Sequence, residues 1–279
     1  MKKITTLLFS FLCLGLSAQI QQNINKTLGT VTNPISEIDS IRFDVNINQM
    51  VVVTNSGSES HALSDIINVT FSTANLIPCS GGVTSVTDID GNVYNVVQIG
   101  DQCWTKENLR TTRYNNGSVI PNVTGDSAWQ NLTTPAWCNY NNSPSNDAVY
   151  GKLYNWYTVA AGNMCPTGWH VPTDTEWTVL TDYLGGASVA GGKMKSTTGW
   201  NAPNTGATNE SGFSGLPGSV RNGDDGNFSG VGNGGCWWSS TETSVTSVSW
   251  VRCLFYNFDV ASRSTFPKPF GLSVRCLRD

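Results

Sequence analysis

The sequence predicts an α+β fold of short strands, two helices and long glycine-rich loops, preceded by a small β-rich appendage. Three observations carry this. Glycine (28) and tryptophan (10) are abundant in 279 residues while long apolar helical runs are few, a composition of short strands and aromatic anchors. "VTSVTDIDGNVYNVVQI" alternates apolar and polar residues about Asp90-Gly91, a type I′ hairpin signal. "PTDTEWTVLTDYLGG" carries a helix start, an apolar stripe and a glycine stop.

In chain order, "MKKITTLLFSFLCLGLSAQ" reads as a signal peptide. Lys2 and Lys3 form its positive end, an apolar run follows, and small residues place the cut after Ala18. Residues 19–75 hold a weak repeat: "PISEIDSIRF" recurs 28 residues on as "ALSDIINVTF", each ending in an apolar-x-Phe strand. "MVVVTNSGSES" between the copies is β-rich. So small a unit reads as a stalk or spacer. Residues 76–82, with Pro78 and Gly81-Gly82, form the linker. The main domain spans 83–279.

In that domain, Asp88, Asp90 and Asn92 start like a calcium loop but lack its distal glutamate, so the turn is the preferred reading. Over Tyr150–Gly162, Leu153, Tyr154, Tyr157 and Ala161 recur at helical spacing, with Gly162 as the stop. A second helix starts at Thr173, which forms a capping box with Glu176. Trp177, Leu180 and Leu184 make its apolar stripe and Gly185 ends it. From about Gly199 the chain reads as short strands and glycine loops. "NGDDGN" (Asn222 to Asn227) reads as a turn, with a structural calcium at Asp224 and Asp225 as the alternative.

The balance of charge excludes nucleic acid as partner. Charged residues make up 13% and the net charge is −4, with no basic stripe to neutralise phosphates. The signal peptide, with no further apolar stretch of membrane-spanning length after it, points to a mature chain outside the cytoplasm, secreted or at the cell surface. Seven cysteines then remain: 79, 103, 138, 165, 236, 253 and 276. In an oxidising compartment they point to disulfides, and the odd count leaves one thiol over. No enzyme is expected. Of two histidines only His170 sits in a firm motif, at a strand-to-helix turn with no nucleophile paired to it, and no confident carboxylate pair is present.

Six ordered motifs resemble the Fibrobacter succinogenes major paralogous domain over residues 83–279. They are "DIDGNVYNVVQIGDQCWTKENLRTTRY", "YGKLYNWYTV", "CPTGWHVPTDTEWTVLTDYLGG", "TNESGFSGLPG", "WWSSTE" and "GLSVRCLRD". The family occurs in secreted proteins of Bacteroidota and Fibrobacterota. Leu272 stands where it usually has Phe, an apolar swap a core tolerates. "GWHVPTDTEW" and the "WWSST" to "GLSVRC" ending are also distantly similar to formylglycine-generating enzymes. That likeness implies a C-type-lectin-like fold, a twisted antiparallel sheet with two main helices and long glycine-rich loops. The copper-binding cysteine pair of those enzymes has no counterpart here, so their activity does not carry over. The EPN, QPD and WND motifs of calcium-dependent lectins are absent too. The fold resembled implies a staple from Cys165 or a neighbour to Cys276; Cys79 with Cys103 is the second candidate pair, and spacing alone does not settle the connectivity.

The stretch 243–270 is the expected binding face. On a strand, Trp250, Arg252, Leu254 and Tyr256 share one side, with Val251, Cys253, Phe255 and Asn257 on the other. One set packs inward. The other is expected to expose an apolar surface continued by Phe258, Val260, Phe266 and Phe270, unless both faces are covered as in a central strand. Some members of the family resembled are variable products of diversity-generating retroelements, in which Asn codons of the last stretch are randomised at adenines. Trp237, Trp238, Arg252, Leu254, Tyr256, Arg263, Lys268 and Gly271 match the fixed framework of that template. Val251, Cys253, Phe255, Phe258, Ser262, Ser264, Thr265, Phe266, Pro267, Pro269 and Phe270 fall in its Asn-like slots. The strand alternation and this resemblance together give the ligand-contacting residues as Val251, Cys253, Phe255, Asn257, Phe258, Val260, Ser262, Ser264, Phe266 and Phe270, and the resemblance makes Cys253 the spare thiol. Trp237 and Trp238 anchor them from beneath. The implied function is binding of a protein or glycan, with a structural or adhesion module of the envelope, and an enzyme of formylglycine-generating type, as alternatives.

Overall fold

The computed structural model describes six strands between residues 20 and 73, Cys79, and residues 82–279 except 131. The signal segment and most of the linker lie outside the described residues. The chain divides into two compact units, Met1–Leu76 and Ile77–Asp279.

In the first unit, β1 (Ile20–Lys26), β2 (Gly29–Pro34), β3 (Ile38–Asp44), β4 (Gln49–Thr54), β5 (Gly57–Ala62) and β6 (Ile66–Thr73) form two antiparallel sheets, β2-β1-β6 and β3-β4-β5. The repeat motifs end on β3 and β6, which belong to different sheets. β3 starts a meander, whereas β6 returns to pair with β1 in the register Ile24↔Val69. Similar sequence thus serves two pairings, because each strand takes the partner its connections bring near.

The second unit opens with β7 (Ser85–Thr87), β8 (Val93–Ile99) and β9 (Gln102–Thr105). The Asp90-Gly91 turn is not the tight two-residue turn expected: Thr87 pairs with Val93, leaving a five-residue loop. Asp88 is the reason. One carboxylate oxygen accepts the N–H groups of Asp90 and Asn92 at 2.9 Å, and the other accepts Asn92 Nδ2 and the Tyr94 hydroxyl. That loop-spanning set outcompetes the tighter turn. The two-residue turn occurs one hairpin later at Gly100-Asp101, with Gly100 at φ 59°.

Next come α1 (Asp126–Gln130), β10 (Trp137–Asn139), α2 (Asp147–Tyr150), β11 (Lys152–Tyr154), α3 (Trp156–Ala160) and β12 (Trp169–His170). The single helix read over Tyr150–Gly162 is therefore divided. Leu153 and Tyr154 lie on β11, paired with Cys138 and Trp137. Gly151 sits at φ 71°, breaking the chain before the strand, and the Asn155 side chain caps α3 at Thr158 N. A glycine and a cap cut the helical spacing into two short elements.

The second predicted helix is α4 (Asp174–Tyr183), with the reciprocal Thr173–Glu176 capping box in place and Trp177, Leu180 and Leu184 buried. α5 (Ala187–Met194) was not expected, because Gly191-Gly192 lies inside it. The chain then makes β13 (Val220–Arg221), β14 (Phe228–Ser229), β15 (Gly234–Glu242), β16 (Val248–Phe255), β17 (Ser262–Pro267) and β18 (Leu277–Arg278).

The architecture is mixed α+β, mostly strand. A five-stranded sheet runs β12-β18-β9-β8-β7, and a separate antiparallel sheet runs β15-β16-β17. The terminal segment stitches them together: Gly271 bridges Arg221, Leu272 bridges Tyr154, Ser273 bridges Trp237, and β18 then enters between β12 and β9. Leu272 is fully buried. One aromatic cluster joins the two sheets to α4: Trp104, Trp177, Phe213 and Trp237 pack with ring centroids 4.7–5.9 Å apart.

Disulfides join Cys79 to Cys103, Cys165 to Cys276 and Cys236 to Cys253; Cys138 is the free thiol among the described residues. Cys253 as spare thiol is thus corrected. Cys236 and Cys253 face each other directly in the β15–β16 register, so the ladder itself brings the sulfurs together. Burial pushes the Cys138 thiol up to about 12, which keeps it protonated and inert.

Candidate functional site

β16 is the middle strand of its sheet, and both of its faces are covered. Val251 and Cys253 pack with Trp238, Cys236 and Val274 on one face; Leu254 packs with Trp237 and Trp177 on the other. Val251 and Cys253 are therefore core residues, not the exposed patch expected. The alternation is real, but a central strand between two packed layers has no free face. Trp237 and Trp238, both fully buried, lie one on each face, and their indole N–H groups donate to Asn108 Oδ1 and the Tyr154 carbonyl.

The remaining expected contact residues do not form one patch. Phe255, Asn257, Phe258 and Val260 lie at the tip connecting β16 to β17. Ser262 and Ser264 lie on β17, the edge strand, and Phe266 and Phe270 stack edge-on at 5.3 Å at the far end. The ladder from Cys253↔Ser262 to Val248↔Pro267 separates the two ends by about 17 Å at the rise of an extended strand. Of the expected contact residues at the two ends, those at the tip are the more exposed: Asn257 is open to solvent, and Phe258 is 54% exposed.

Two other loops meet the tip. The Tyr256 N–H donates to the Asn233 carbonyl (3.0 Å), and the Thr205 N–H donates to the Tyr256 carbonyl (2.8 Å). Asn201 Nδ2 donates to Asn233 Oδ1, tying those two loops to each other. Beneath lies Lys195, fully buried, whose ammonium donates to the carbonyls of Thr205 (2.7 Å), Phe255 (3.0 Å) and Phe258 (2.7 Å). Burial pulls its pKa down, and Asp259 opposes this. Sequence reading missed Lys195, since nothing in Gly191-Gly192-Lys193-Met194-Lys195 marks one lysine as buried rather than the other.

The framework residues hold the sheet edge to α4. Asp174 accepts from Arg252 Nη1 at 2.6 Å and from Arg263 at 2.8–3.1 Å, and Arg263 lies 3.5 Å over the Trp250 ring. Burial raises the Asp174 carboxyl, but hydrogen bonds from Arg263 and Arg252 outweigh it and hold it below the usual range. At the far end Lys268 pairs with Glu242 and lies over Trp156. Tyr256 is half-buried at the tip.

The Asn222–Asn227 loop closes as a hairpin between β13 and β14. Asn222 Oδ1 accepts from Asp224 N, and Asp225 Oδ1 accepts from Asn227 N. Arg221, fully buried between Trp129 and Phe228, holds the Gly226 carbonyl at 2.8 Å.

His170 sits between two acids, Nδ1 2.6 Å from Asp279 and Nε2 3.0 Å from Glu176. The Glu176 bond raises its pKa to about 8, burial opposes, and Asp279 adds to the rise. For Glu176, burial raises the carboxyl, but His170 and Thr173 outweigh this and bring it to about 2. A raised histidine stabilises the fold fully below its unfolded pKa near 6.5, and that contribution is lost as pH rises through about 8. A lowered glutamate contributes above about 4.5 and loses it as pH falls through about 2. Thermal melts at pH 6 and pH 9.5 are expected to show wild type losing up to about 1 kcal/mol more than His170→Asn, a small figure because solvent screens the pair. Equal losses would show the pairs contribute nothing.

The family model for the Fibrobacter succinogenes major domain matches residues 97–278. The chain belongs to that family. The match takes in nearly all of the second unit, so the tip, Lys195 and the aromatic cluster are parts of the Fibrobacter major domain, while the six strands of the first unit precede the match. No curated protein matches the chain, and no solved structure does either. No helix among the described residues of this major-domain protein is long and apolar enough to cross a membrane. Its three disulfides are compatible with a place outside the cytoplasm.

Proposed function

We propose that this chain is a secreted or cell-surface binding protein, with a C-type-lectin-like major domain that meets a protein or glycan through the tip joining β16 to β17. The observation that carries the reading is Phe258. It is a large aromatic left 54% exposed on a loop whose backbone is hydrogen-bonded on three sides. An exposed aromatic on an ordered loop contributes contact area at little entropic cost, as in the loops of antibodies. Asn257 beside it adds an adaptable amide. The reading is non-catalytic: both His170 nitrogens are engaged by carboxylates, and the Cys138 thiol is sealed and protonated. The tip side chains are the portion of the expected variable stretch that this reading keeps.

The test uses the purified mature chain against an immobilised glycan array and a displayed peptide library. Wild type is expected to select a ligand, and the Asn257→Ala/Phe258→Ala variant to bind it at least about tenfold more weakly, or ~1.4 kcal/mol, with an unchanged melting temperature. A ligand held equally by both proteins sinks the tip as the site. Selection of no ligand from either source favours the structural envelope module. A reverse-transcriptase gene beside this one, with an adenine-rich near-copy of codons 243–279, would establish diversification. A near-copy without asparagine substitutions would count against it.

A further inference from the structure

The way the tip is held has a property that does not depend on its ligand. Phe255 and Ala261 pack into the core at either end, but the hydrogen bonds that fix residues 255–261 to the rest of the domain use their main chain. Lys195 takes the carbonyls of Phe255 and Phe258. Thr205 N–H takes the carbonyl of Tyr256, and Tyr256 N–H donates to Asn233. Gly192 N–H donates to the Asp259 carbonyl at 3.0 Å, and Ala261 N–H to the Ala187 carbonyl at 2.8 Å. Gly191 and Gly192 make this approach sterically feasible. A Cβ on Gly191 would clash with the Val260 carbonyl, and one on Gly192 with the Gly206 carbonyl. The glycine pair inside α5, which costs helix propensity, thus has a packing reason. Lys195 directly follows the helix, one turn beyond Gly191, which puts the bare helix surface and the ammonium on the same side.

We propose that Gly191, Gly192 and Lys195 form a main-chain clamp that holds the 255–260 tip in one conformation whatever side chains positions 257 and 258 carry, which makes Asn257 and Phe258 interchangeable contact positions and Lys195 a positioning residue for binding. The clamp stands on these bonds alone; its use in recognition rests on the function proposed above.

Hydrogen exchange on the full chain separates the two. Replacing the tip side chains, Asn257→Tyr with Phe258→Ser, is expected to leave amide protection across 255–261 within about twofold of wild type and the melting temperature within about 2 °C, a change too small for a lost packing contact. Lys195→Met is expected to raise exchange across 255–261 and at Thr205 by tenfold or more while β8 and β9 keep their protection, because opening becomes local. Loss of tip protection on swapping the side chains would overturn the clamp, and that arm does not depend on the Lys195 variant folding. Unchanged protection in Lys195→Met would overturn it also. If the swap keeps its protection yet binds a selected ligand as wild type does, the proposed function fails and the clamp stands.

Discussion

Replacing Arg275 by alanine is expected to destabilise the major domain by about 4 kcal/mol. Arg275 is 1% exposed on the terminal segment that stitches the two sheets together. Its guanidinium donates to Asn108 Oδ1 (2.6 Å) and to the carbonyls of Thr105 (2.8 Å), Phe213 (2.9 Å) and Ser214 (3.4 Å), and it lies 4.5 Å over the Phe213 ring. Burial draws its pKa down to about 9, with Glu107 opposing, so the group stays charged at neutral pH. These contacts are carbonyl dipoles and a ring face in place of a carboxylate. Removing the side chain orphans several buried acceptors at once and opens a void between β9 and the Phe213 loop, and both effects have the same sign. Arg275→Met should recover the packing share and leave the acceptors unpaired, so it is expected to fall between. Denaturant unfolding followed by tryptophan fluorescence reads this domain alone, because all ten tryptophans lie between Trp104 and Trp250. A loss below about 1 kcal/mol for Arg275→Ala would mean that water takes over the acceptors, and would remove Arg275 as the pin of the seam.

The Cys165–Cys276 disulfide is expected to have a comparable effect. It spans 111 residues, against 24 for Cys79–Cys103 and 17 for Cys236–Cys253. In the chain-entropy account the longest loop constrains the unfolded chain most, about 4–5 kcal/mol against about 3 for the shorter two. The double variant Cys165→Ala/Cys276→Ala should therefore lower the denaturant midpoint more than Cys236→Ala/Cys253→Ala. The β15–β16 ladder already aligns the latter pair through the backbone. Equal losses from the two double variants would show that native packing around the sulfurs, not loop length, sets their effect.

The helix start at Thr173 was legible because its cause is local. A hydroxyl and a carboxylate three residues apart satisfy two free N–H groups wherever that segment lies. The cystine pair of Cys165 and Cys276 was legible only through family resemblance, since spacing does not choose among pairings. The division of Tyr150–Gly162 was misread although its signs were present: Gly151 and Asn155 are residues that break and start helices. α5 failed for the opposite reason. Its glycine pair reads locally as a loop, and only the passage of the 255–260 backbone across it explains a helix there.

The candidate site divides in the same way. Alternation along residues 250–257 was readable, and the structure keeps it: Val251 and Cys253 lie on one face of β16, Leu254 on the other. Whether either face meets water depends on what covers it, and β16 has a strand on each side and a packed layer above and below. At the tip Phe258 has no such layer over it, as Val245 has none at the opposite end of the sheet.

Sequence alone thus sufficed for the α+β class, the capped helix, the alternation of the last long strand and membership of the family, because these follow from neighbours in the chain or from motifs in order. Tertiary structure decided which residues are buried, that Cys236 meets Cys253, and that Lys195 lies under the tip. Burial of a lysine or an arginine depends on carbonyls brought from distant loops, and those meet only when the chain has folded.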